Sequence, residues 1–219
     1  MIEALLLDLD GVLLDSSKIH SESYLESFST FGIDIEFTYS KYAGRSTLDV
    51  MTEIVHQASL NSDALLKLTL LKQKIAERKF SEVLEIPLFP RVEISLLSLA
   101  ERFRLALCTS ASKATVNAFF RSGVSRQIFE CIITADDLIK SKPDPEIYQK
   151  AMVALGLSPQ YCAVVEDSIS GIIAGLRSGA KVYHIGSKDL LKEINTDGAQ
   201  EVMSIESFER FAEIVGVNA

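Results

Sequence analysis

Short aliphatic runs alternate with helical patterns along most of this chain. Six runs have the length and apolar character of buried strands, namely residues 2–7, 105–108, 131–134, 162–165, 181–185 and 201–203. Helical spacing follows the later runs and begins after Ser112, at Pro145, after Ser168, near Lys188 and at Ser204. This alternation predicts an α/β fold built on a doubly wound parallel sheet, the Rossmann-like arrangement with helices on both faces.

The alternation stops between residues 16 and 85. Residues 16–31, 47–58 and 63–83 carry helical spacing, and no convincing strand lies among them. The chain then returns to the sheet through Pro87-Leu88-Phe89-Pro90, where two prolines stiffen the backbone. We therefore predict an all-helical cap domain over residues 16–85, inserted into a discontinuous α/β core of residues 1–15 and 86–219. The alternative is a single α/β domain with an extra helical layer.

Composition and charge exclude several classes of protein. With 47% hydrophobic and 24% charged residues, the chain is globular rather than disordered or collagen-like. Its formal net charge of −8 argues against a nucleic-acid or membrane partner. The three cysteines match no zinc-site spacing and lie in apolar runs, so we expect buried, reduced thiols. Neither a signal peptide nor a long apolar segment is evident, and we expect a cytoplasmic protein.

Polar residues stand where four of the predicted strands end. In open parallel sheets, ligands bind outside the carboxyl ends of the strands. Asp8 and Asp10 follow the first run, and Gly11 permits a sharp turn after them. Two acids so close require a nearby cation or a retained proton. The later strand ends carry Thr109-Ser110, Ser141-Lys142-Pro143-Asp144-Pro145 and Glu166-Asp167-Ser168.

These groups are the ones that transfer of a phosphoryl group requires. Asp8 can attack phosphorus as a nucleophile and form an acyl phosphate. Asp10, if partly protonated, can give a proton to the leaving oxygen and later take one from water. Lys142 and the Thr109 hydroxyl can balance charge on the phosphate oxygens.

The same strand ends predict a metal site. Mg²⁺ is a hard cation that prefers oxygen ligands and keeps several waters. Asp8, Asp167 and, as a further candidate, Glu166 can provide carboxylate oxygens for it. Magnesium is therefore the expected cofactor.

In their order and spacing, these four stretches resemble the motifs of the haloacid dehalogenase superfamily. The resemblance is to its β-phosphoglucomutase-like phosphatase branch, which carries a helical cap after the first strand, and it covers essentially the whole chain. It implies that Asp8 is the aspartyl nucleophile and that Asp10 is the acid/base. It also implies that Lys142 bridges the nucleophile and the phosphate, which the Thr109 hydroxyl and the Ser110 N–H bind.

The resemblance also implies how the metal is bound. Asp8 and Asp167 match direct Mg²⁺ ligands, and the backbone carbonyl of Asp10 matches another. Glu166 matches a ligand that is reached directly or through water. The acid at Asp10 separates this chain from the dehalogenase and phosphonate-cleaving branches, which lack it, and favours phosphate esters as substrates.

In such families the cap residues that face the core select the substrate. His20, Arg45 and Lys72 occupy positions that resemble those used to hold a sugar or its distal phosphate. Lys72 shares its predicted helix with Lys67 and Lys74, so sequence alone favours a solvated side chain there.

Two positions depart from the family pattern. Mutases of this branch carry an arginine where Thr47 stands, and this difference favours hydrolysis. Relatives usually have glycine where Arg91 follows Pro90, which leaves the local turn geometry and the role of Arg91 undetermined; a surface position is favoured.

The sequence thus predicts a Mg²⁺-dependent phosphatase that hydrolyses a small phosphorylated metabolite, such as a sugar phosphate, through an aspartyl phosphate. The alternatives are a β-phosphoglucomutase-like phosphomutase and a catalytically silent binding protein of the same fold. A monomer is expected, although the sequence determines neither the oligomeric state nor the identity of the substrate.

Overall fold

Strands of the core form one parallel sheet in a computed structural model, which describes residues 1–193 and 202–217. The strands are β1 (Ala4–Leu7), β2 (Arg104–Cys108), β3 (Phe129–Ile133), β4 (Cys162–Glu166), β5 (Lys181–Ile185) and β6 (Met203–Ile205). Their order across the sheet is β3-β2-β1-β4-β5-β6. Leu7 of β1 lies beside Leu107 of β2 and Val165 of β4, so these three strands end at the same edge.

Helices cover both faces of this sheet. The helices are α1 (Ser17–Thr30), α2 (Thr47–Gln57), α3 (Ser62–Glu82), α4 (Val92–Ala100), α5 (Lys113–Phe120), α6 (Glu146–Leu155), α7 (Ile169–Ser178) and α8 (Phe208–Val217). Short 3₁₀ helices lie at Tyr39–Lys41, Arg126–Ile128, Ala135–Asp137, Pro159–Tyr161 and Lys188–Glu193. One apolar core packs α4, α5 and α8 on the face that carries Leu5 and Leu7, and a second packs α6 and α7 on the face that carries Leu6. The predicted doubly wound α/β class is confirmed.

Serine caps fix the starts of the helices that follow β2 and β4. Ser112 accepts a hydrogen bond from the N–H of Thr115, and Ser168 accepts one from the N–H of Gly171. Both helices begin where the sequence predicts. The predicted helix start at Ser204 is wrong, because Ser204 lies in β6, beside His184 of β5, and α8 begins at Phe208. The predicted strand at 201–203 is displaced accordingly, and Glu201 lies outside the described residues.

Helices α1, α2 and α3 lie between β1 and β2 along the chain, where the sequence predicts helices without strands, and are called the helical layer below. They share their own apolar cluster, in which Tyr24 and Phe28 pack against Met51, Ile54 and Leu68. The two chain crossings to the core run side by side. The N–H of Asp15 donates to the carbonyl of Pro87 over 2.8 Å, and the N–H of Phe89 donates to that of Leu13 over 3.1 Å. The division into a core and a cap at 16–85 remains a prediction.

Arg91 adopts a left-handed backbone conformation at the start of α4, with φ of 57°. Glycine populates this region without steric cost, which explains the preference for glycine at this turn. The Arg91 side chain is largely exposed and forms an ion pair with Glu209 at 3.2 Å. It therefore lies on the surface.

All three cysteines are free thiols, as expected from the apolar runs in which they lie. Cys108 and Cys162 are buried, whereas Cys131 is only half-buried, so the expectation of three buried thiols is wrong for Cys131. Cys131 lies on β3, an edge strand of the sheet, which has a neighbouring strand on one side only. Across the described ranges, none of the helices combines the length and apolar character needed to cross a membrane.

Candidate active site

The parallel sheet brings the predicted catalytic groups to one edge. Asp8 follows β1 directly and donates its backbone N–H to the carbonyl of Val165 over 3.0 Å. Thr109 follows β2, and Glu166 ends β4. Lys142 reaches the same edge from the loop between β3 and α6. Residues that are far apart in the sequence therefore surround one point.

Lys142 is the centre of this cluster and is almost fully buried. Its Nζ lies 2.7 Å from Oδ1 of Asp8 and 2.6 Å from Oε1 of Glu166. It also donates to the carbonyl of Cys108 over 3.2 Å. These three acceptors use all three hydrogens of the ammonium group. Burial acts to lower the pKa of Lys142, but Asp8 and Glu166 outweigh it and raise that pKa above its ordinary value.

Glu166 is fully buried, and protein donors occupy both of its carboxylate oxygens. Oε1 accepts from Lys142 and, over 2.9 Å, from the hydroxyl of Tyr148. Oε2 accepts from the N–H of Asp167 over 2.9 Å and from the N–H and Oγ of Ser168, each over 3.0 Å. Glu166 thus fixes the Asp167–Ser168 turn. Of its two expected modes of metal binding, this geometry supports contact through water.

Asp8 and Asp167 have the character of direct ligands for a hard cation. Oxygen atoms of Asp8, Glu166 and Asp167 lie within 4.8 Å of one another. Within the described ranges, the Asp167 carboxylate has no hydrogen-bond donor. Burial raises the pKa of Asp8 to about 8, and burial together with the charges of Glu166 and Asp8 raises the pKa of Asp167. Carboxylates that ionise so reluctantly either keep a proton or bind a cation, and the all-oxygen donor set fits Mg²⁺.

Gly11 allows Asp167 to approach the turn that follows Asp8. Its backbone has φ of 84°, and a Cβ atom there would lie 1.8 Å from Oδ2 of Asp167. Only glycine satisfies both conditions. The close approach places the Asp167 carboxylate against the Asp8–Gly11 turn.

Asp10 points toward the cap helices. Its Oδ1 accepts a hydrogen bond from Ser16 and lies 3.4 Å from Nε2 of His20. Burial acts to raise the pKa of Asp10, but the hydrogen bond and charge of His20 and the hydrogen bond of Ser16 outweigh it and lower that pKa below its ordinary value. Proton donation by Asp10 has partial protonation as its condition, and these donors favour the anion instead.

Thr109 and Ser110 lie at the end of β2. Thr109 is fully buried, and its Oγ1 accepts from the N–H of Ala111 over 3.0 Å, which leaves the hydroxyl hydrogen for another acceptor. Ser110 donates to the carbonyl of Gly44 in the cap segment over 3.4 Å. A Cβ atom on Gly44 would lie 2.1 Å from Oγ of Ser168, so the cap segment also contacts the turn after β4.

A cavity of about 540 Å³ lies between the helical layer and the sheet edge, and Asp8 and Asp10 form part of its lining. His20 and Lys72 enter it from α1 and α3 and are both buried. Nζ of Lys72 lies 3.2 Å from Nδ1 of His20 and 4.5 Å from the centre of the Tyr24 ring. The solvated side chain that sequence alone favours for Lys72 is therefore wrong, because α1 covers this position of α3.

Arg45 also lines this cavity, but its charge is already paired. Nη1 lies 2.8 Å from Oε2 of Glu53, and Nη2 donates to the carbonyl of Asp49 over 3.4 Å. The guanidinium lies over the Tyr42 ring, 5.4 Å from its centre. The three predicted cap residues thus share one cavity, and two of them contact each other.

Several residues of the site carry no sequence signal for their role. Tyr148 lies within α6, where its spacing indicates only a core side chain. Ser16 and Ser168 precede helices and are typical of caps, and Asp49 is an ordinary acid in a first helical turn. Their contacts with Asp10, Glu166 and Ser141 arise only from the packing of distant segments.

Comparison with known proteins assigns this arrangement to a family. The family model described as haloacid dehalogenase-like hydrolase matches residues 5–185. The CbbY protein of Rhodobacter capsulatus is 28% identical over 190 residues, which cover 83% of this chain and 84% of that protein. The phosphorylated carbohydrates phosphatase of Thermotoga maritima is 27% identical over 193 residues, which cover 84% of this chain and 85% of that protein.

Solved structures show the same fold. A β-phosphoglucomutase from Clostridium difficile superimposes with a TM-score of 0.81 at 23% identity, covering 98% of this chain and 99% of that one. A CbbY variant from Rhodobacter sphaeroides in complex with xylulose-(1,5)bisphosphate superimposes with a TM-score of 0.75 at 24% identity. The match covers 100% of this chain and 100% of that one. The protein is therefore an enzyme that belongs to the haloacid dehalogenase-like hydrolases, the family that its sequence motifs indicate.

Proposed function

We propose that this enzyme is a Mg²⁺-dependent phosphatase that hydrolyses a small phosphorylated metabolite, in particular a sugar phosphate, through phospho-Asp8. The observation that carries the proposal is the position of Asp8. Its carboxylate lines the cavity, while Lys142 holds one of its oxygens and Asp167 lies beside it. A nucleophile for phosphorus needs this combination of access and local positive charge.

In the first step Asp8 attacks phosphorus, the bond between phosphorus and the ester oxygen breaks, and that oxygen takes a proton from Asp10. Asp8 and Asp167 would hold a Mg²⁺ ion, which would supply positive charge for the phosphate oxygens. The donors around Asp10 lower its pKa, so proton transfer to the leaving oxygen requires that the entering negative phosphate raise that pKa. His20 and Ser16 hold its carboxylate in place.

In the second step Asp10 takes a proton from water, the water oxygen attacks phosphorus, and the bond between phosphorus and Asp8 breaks. Lys142 holds the Asp8 oxygen through both steps and balances its charge as the acyl phosphate forms and breaks. The Thr109 hydroxyl is available to a phosphate oxygen as a donor. The helical layer limits access of bulk water to the cavity.

A sugar phosphate fits the character of the cavity. Hydroxyl and amide side chains line it, among them Ser46, Thr47, Gln73, Ser112 and Thr115. The names of the related phosphatase and of the CbbY complex concern phosphorylated carbohydrates. Both observations support a polyhydroxylated leaving group.

Substitution of the nucleophile tests the proposal. Asp8→Asn should abolish phosphate release from a panel of sugar phosphates with Mg²⁺ while circular dichroism shows an intact fold. Asp34→Asn, which changes an exposed acid outside the cavity, is the matched control and should keep full activity. Full turnover by Asp8→Asn would overturn the proposal, and absence of turnover by the unmodified enzyme on every ester would favour the silent binding protein.

A phosphomutase is the second candidate, because a β-phosphoglucomutase shares the fold. Thr47, at the position where mutases carry arginine, provides a hydroxyl that accepts from Nζ of Lys72 over 3.3 Å, and this difference favours hydrolysis. Labelled phosphate distinguishes the two reactions. Label that stays on the sugar indicates a mutase, and label in free phosphate indicates a phosphatase.

A further inference from the structure

Resting on the proposed function, we propose that the substrate is a phosphate monoester whose leaving group carries no second phosphate, and that Glu53 enforces this choice by holding Arg45. A second phosphate would lie in the part of the 540 Å³ cavity away from Asp8. A second phosphate there would require basic side chains with free donors.

The basic side chains that line this cavity are already committed to other groups. Arg45 is paired with Glu53 at 2.8 Å. Lys140 is largely exposed and lies 3.4 Å from Asp144. The buried ammonium of Lys72 is held by His20 and Thr47. A second phosphate would compete with Glu53 for Arg45, with Asp144 for Lys140, and with His20 and Thr47 for Lys72.

Acidic side chains in the same lining oppose a second anion. Asp49 and Asp136 both line the cavity, and neither forms an ion pair within the ranges that the structure describes. Asp49 accepts hydrogen bonds from the hydroxyls of Ser46 and Ser141, and Asp136 accepts one from the N–H of Lys113 over 2.9 Å. A distal phosphate would meet these carboxylates without compensation, whereas sugar hydroxyls can donate to them.

Glu53 is well placed to keep Arg45 from a distal phosphate. It lies on α2 and is absent from the cavity lining. Besides Arg45, the hydroxyl of Tyr42 donates to Oε1 of Glu53 over 3.1 Å, and the side-chain amide of Gln57 donates to the same atom over 3.2 Å. The carboxylate is therefore fixed by three donors, and the Tyr42 ring supports the guanidinium from one side.

This arrangement also bears on the choice between phosphatase and mutase. A mutase that uses a phosphoenzyme passes through a sugar bisphosphate, so its cavity must hold two phosphates at once. A cavity that rejects the second phosphate cannot stabilise that species. The charge pattern therefore favours release of the sugar after one transfer.

The test compares a fructose monophosphate with a fructose bisphosphate, with phosphate release measured in the presence of Mg²⁺. We expect the unmodified enzyme to favour the monophosphate in kcat/KM by about tenfold or more, the loss that one missing charge-assisted hydrogen bond produces. Glu53→Gln frees Arg45 and should shift the ratio toward the bisphosphate by about tenfold. The double variant Arg45→Gln, Glu53→Gln should lose that gain.

Glu130→Gln is the matched control, because Glu130 on β3 pairs with Arg104 on β2 at 2.7 Å and neither residue lines the cavity. It should leave the substrate ratio unchanged. Equal turnover of both substrates, a preference for the bisphosphate, or an unchanged ratio in Glu53→Gln would overturn the inference while the phosphatase stands. Absence of turnover on every phosphate ester would overturn the phosphatase and this inference together.

Discussion

Nζ of Lys142 lies 2.7 Å from Oδ1 of Asp8, and 134 residues separate the two along the chain. Both side chains are buried, so neither charge is solvated by bulk water. The same ammonium neutralises Glu166, and one cation thus serves two carboxylates. This contact joins the first strand to the loop after the third, and it ties the stability of the core to its chemistry.

Lys142→Met should destabilise the protein strongly. Removal of one partner from a buried ion cluster leaves uncompensated charge and costs about 3–5 kcal/mol of unfolding free energy. Urea unfolding measures the loss. If Asp8 is the group left uncompensated, the double variant Asp8→Asn, Lys142→Met should lose less than the sum of the two single variants. Strict additivity would contradict direct coupling between these side chains.

Gly11→Ala should weaken metal binding by displacing Asp167. The new Cβ would lie 1.8 Å from Oδ2 of Asp167, so the carboxylate must leave its place against the Asp8 turn. Gly32→Ala is the matched control, since Gly32 also has positive φ, at 64°, but has no atom within 4 Å of its Cβ position. We expect Gly11→Ala to require far more Mg²⁺ for turnover, whereas Gly32→Ala responds to Mg²⁺ normally. If both variants needed the same Mg²⁺ concentration for turnover, Gly11 would have no role in metal binding.

Local patterns were sufficient to predict the core of the site. Asp8, Thr109 and Glu166 end or follow apolar runs, and in a parallel sheet such ends meet at one edge. The same reasoning, together with the spacing of the motifs, predicts that Lys142 lies at this edge as well. Sequence could not show that Glu166 has both oxygens occupied, because the hydroxyl of Tyr148 reaches it from the first turn of α6, where the spacing indicates only a core side chain.

The cap illustrates where local patterns fail. Lys67 and Lys72 lie on the same helix and are chemically identical, yet only Lys72 is covered by α1. The prediction of where α8 begins was wrong for a related reason. β6 has only three residues, and pairing with β5 rather than intrinsic pattern makes Ser204 part of a strand. Burial and pairing are properties of the whole fold.

Lys72→Met should stabilise the protein near neutral pH. Burial lowers the pKa of Lys72 to about 8 from 10.5, although Asp10 acts to raise it. Below pH 8 the folded protein therefore carries a buried charge that costs up to about 3 kcal/mol. As pH rises from 8 to 10.5, the unfolded chain binds more protons than the folded protein, so the stability of the unmodified enzyme rises relative to Lys72→Met.

Urea unfolding of the unmodified enzyme and of Lys72→Met between pH 7 and 10.5 measures how the difference between their unfolding free energies shrinks. This pH range includes both the folded and the unfolded pKa of Lys72. Lys67→Met, which removes an exposed lysine from the same helix, should show no such dependence. A Lys72→Met variant that is less stable than the unmodified enzyme at pH 7 would mean that the contacts with His20 and Thr47 outweigh the cost of burial.

Ser141→Ala should loosen the contact between the helical layer and the core. Oγ of Ser141 donates to Oδ2 of Asp49 on α2, immediately beside Lys142, and Ser110 makes a second contact of this kind with Gly44. Substrate must enter the cavity that these contacts close, and water must be excluded during attack. Loss of one hydrogen bond, worth about 1 kcal/mol, should reduce kcat/KM about fivefold and increase the radius of gyration measured by solution X-ray scattering. Ser81→Ala, which removes an exposed hydroxyl from the end of α3, should change neither quantity, and an unchanged kcat/KM in Ser141→Ala would show that this hydrogen bond does not hold the cap closed.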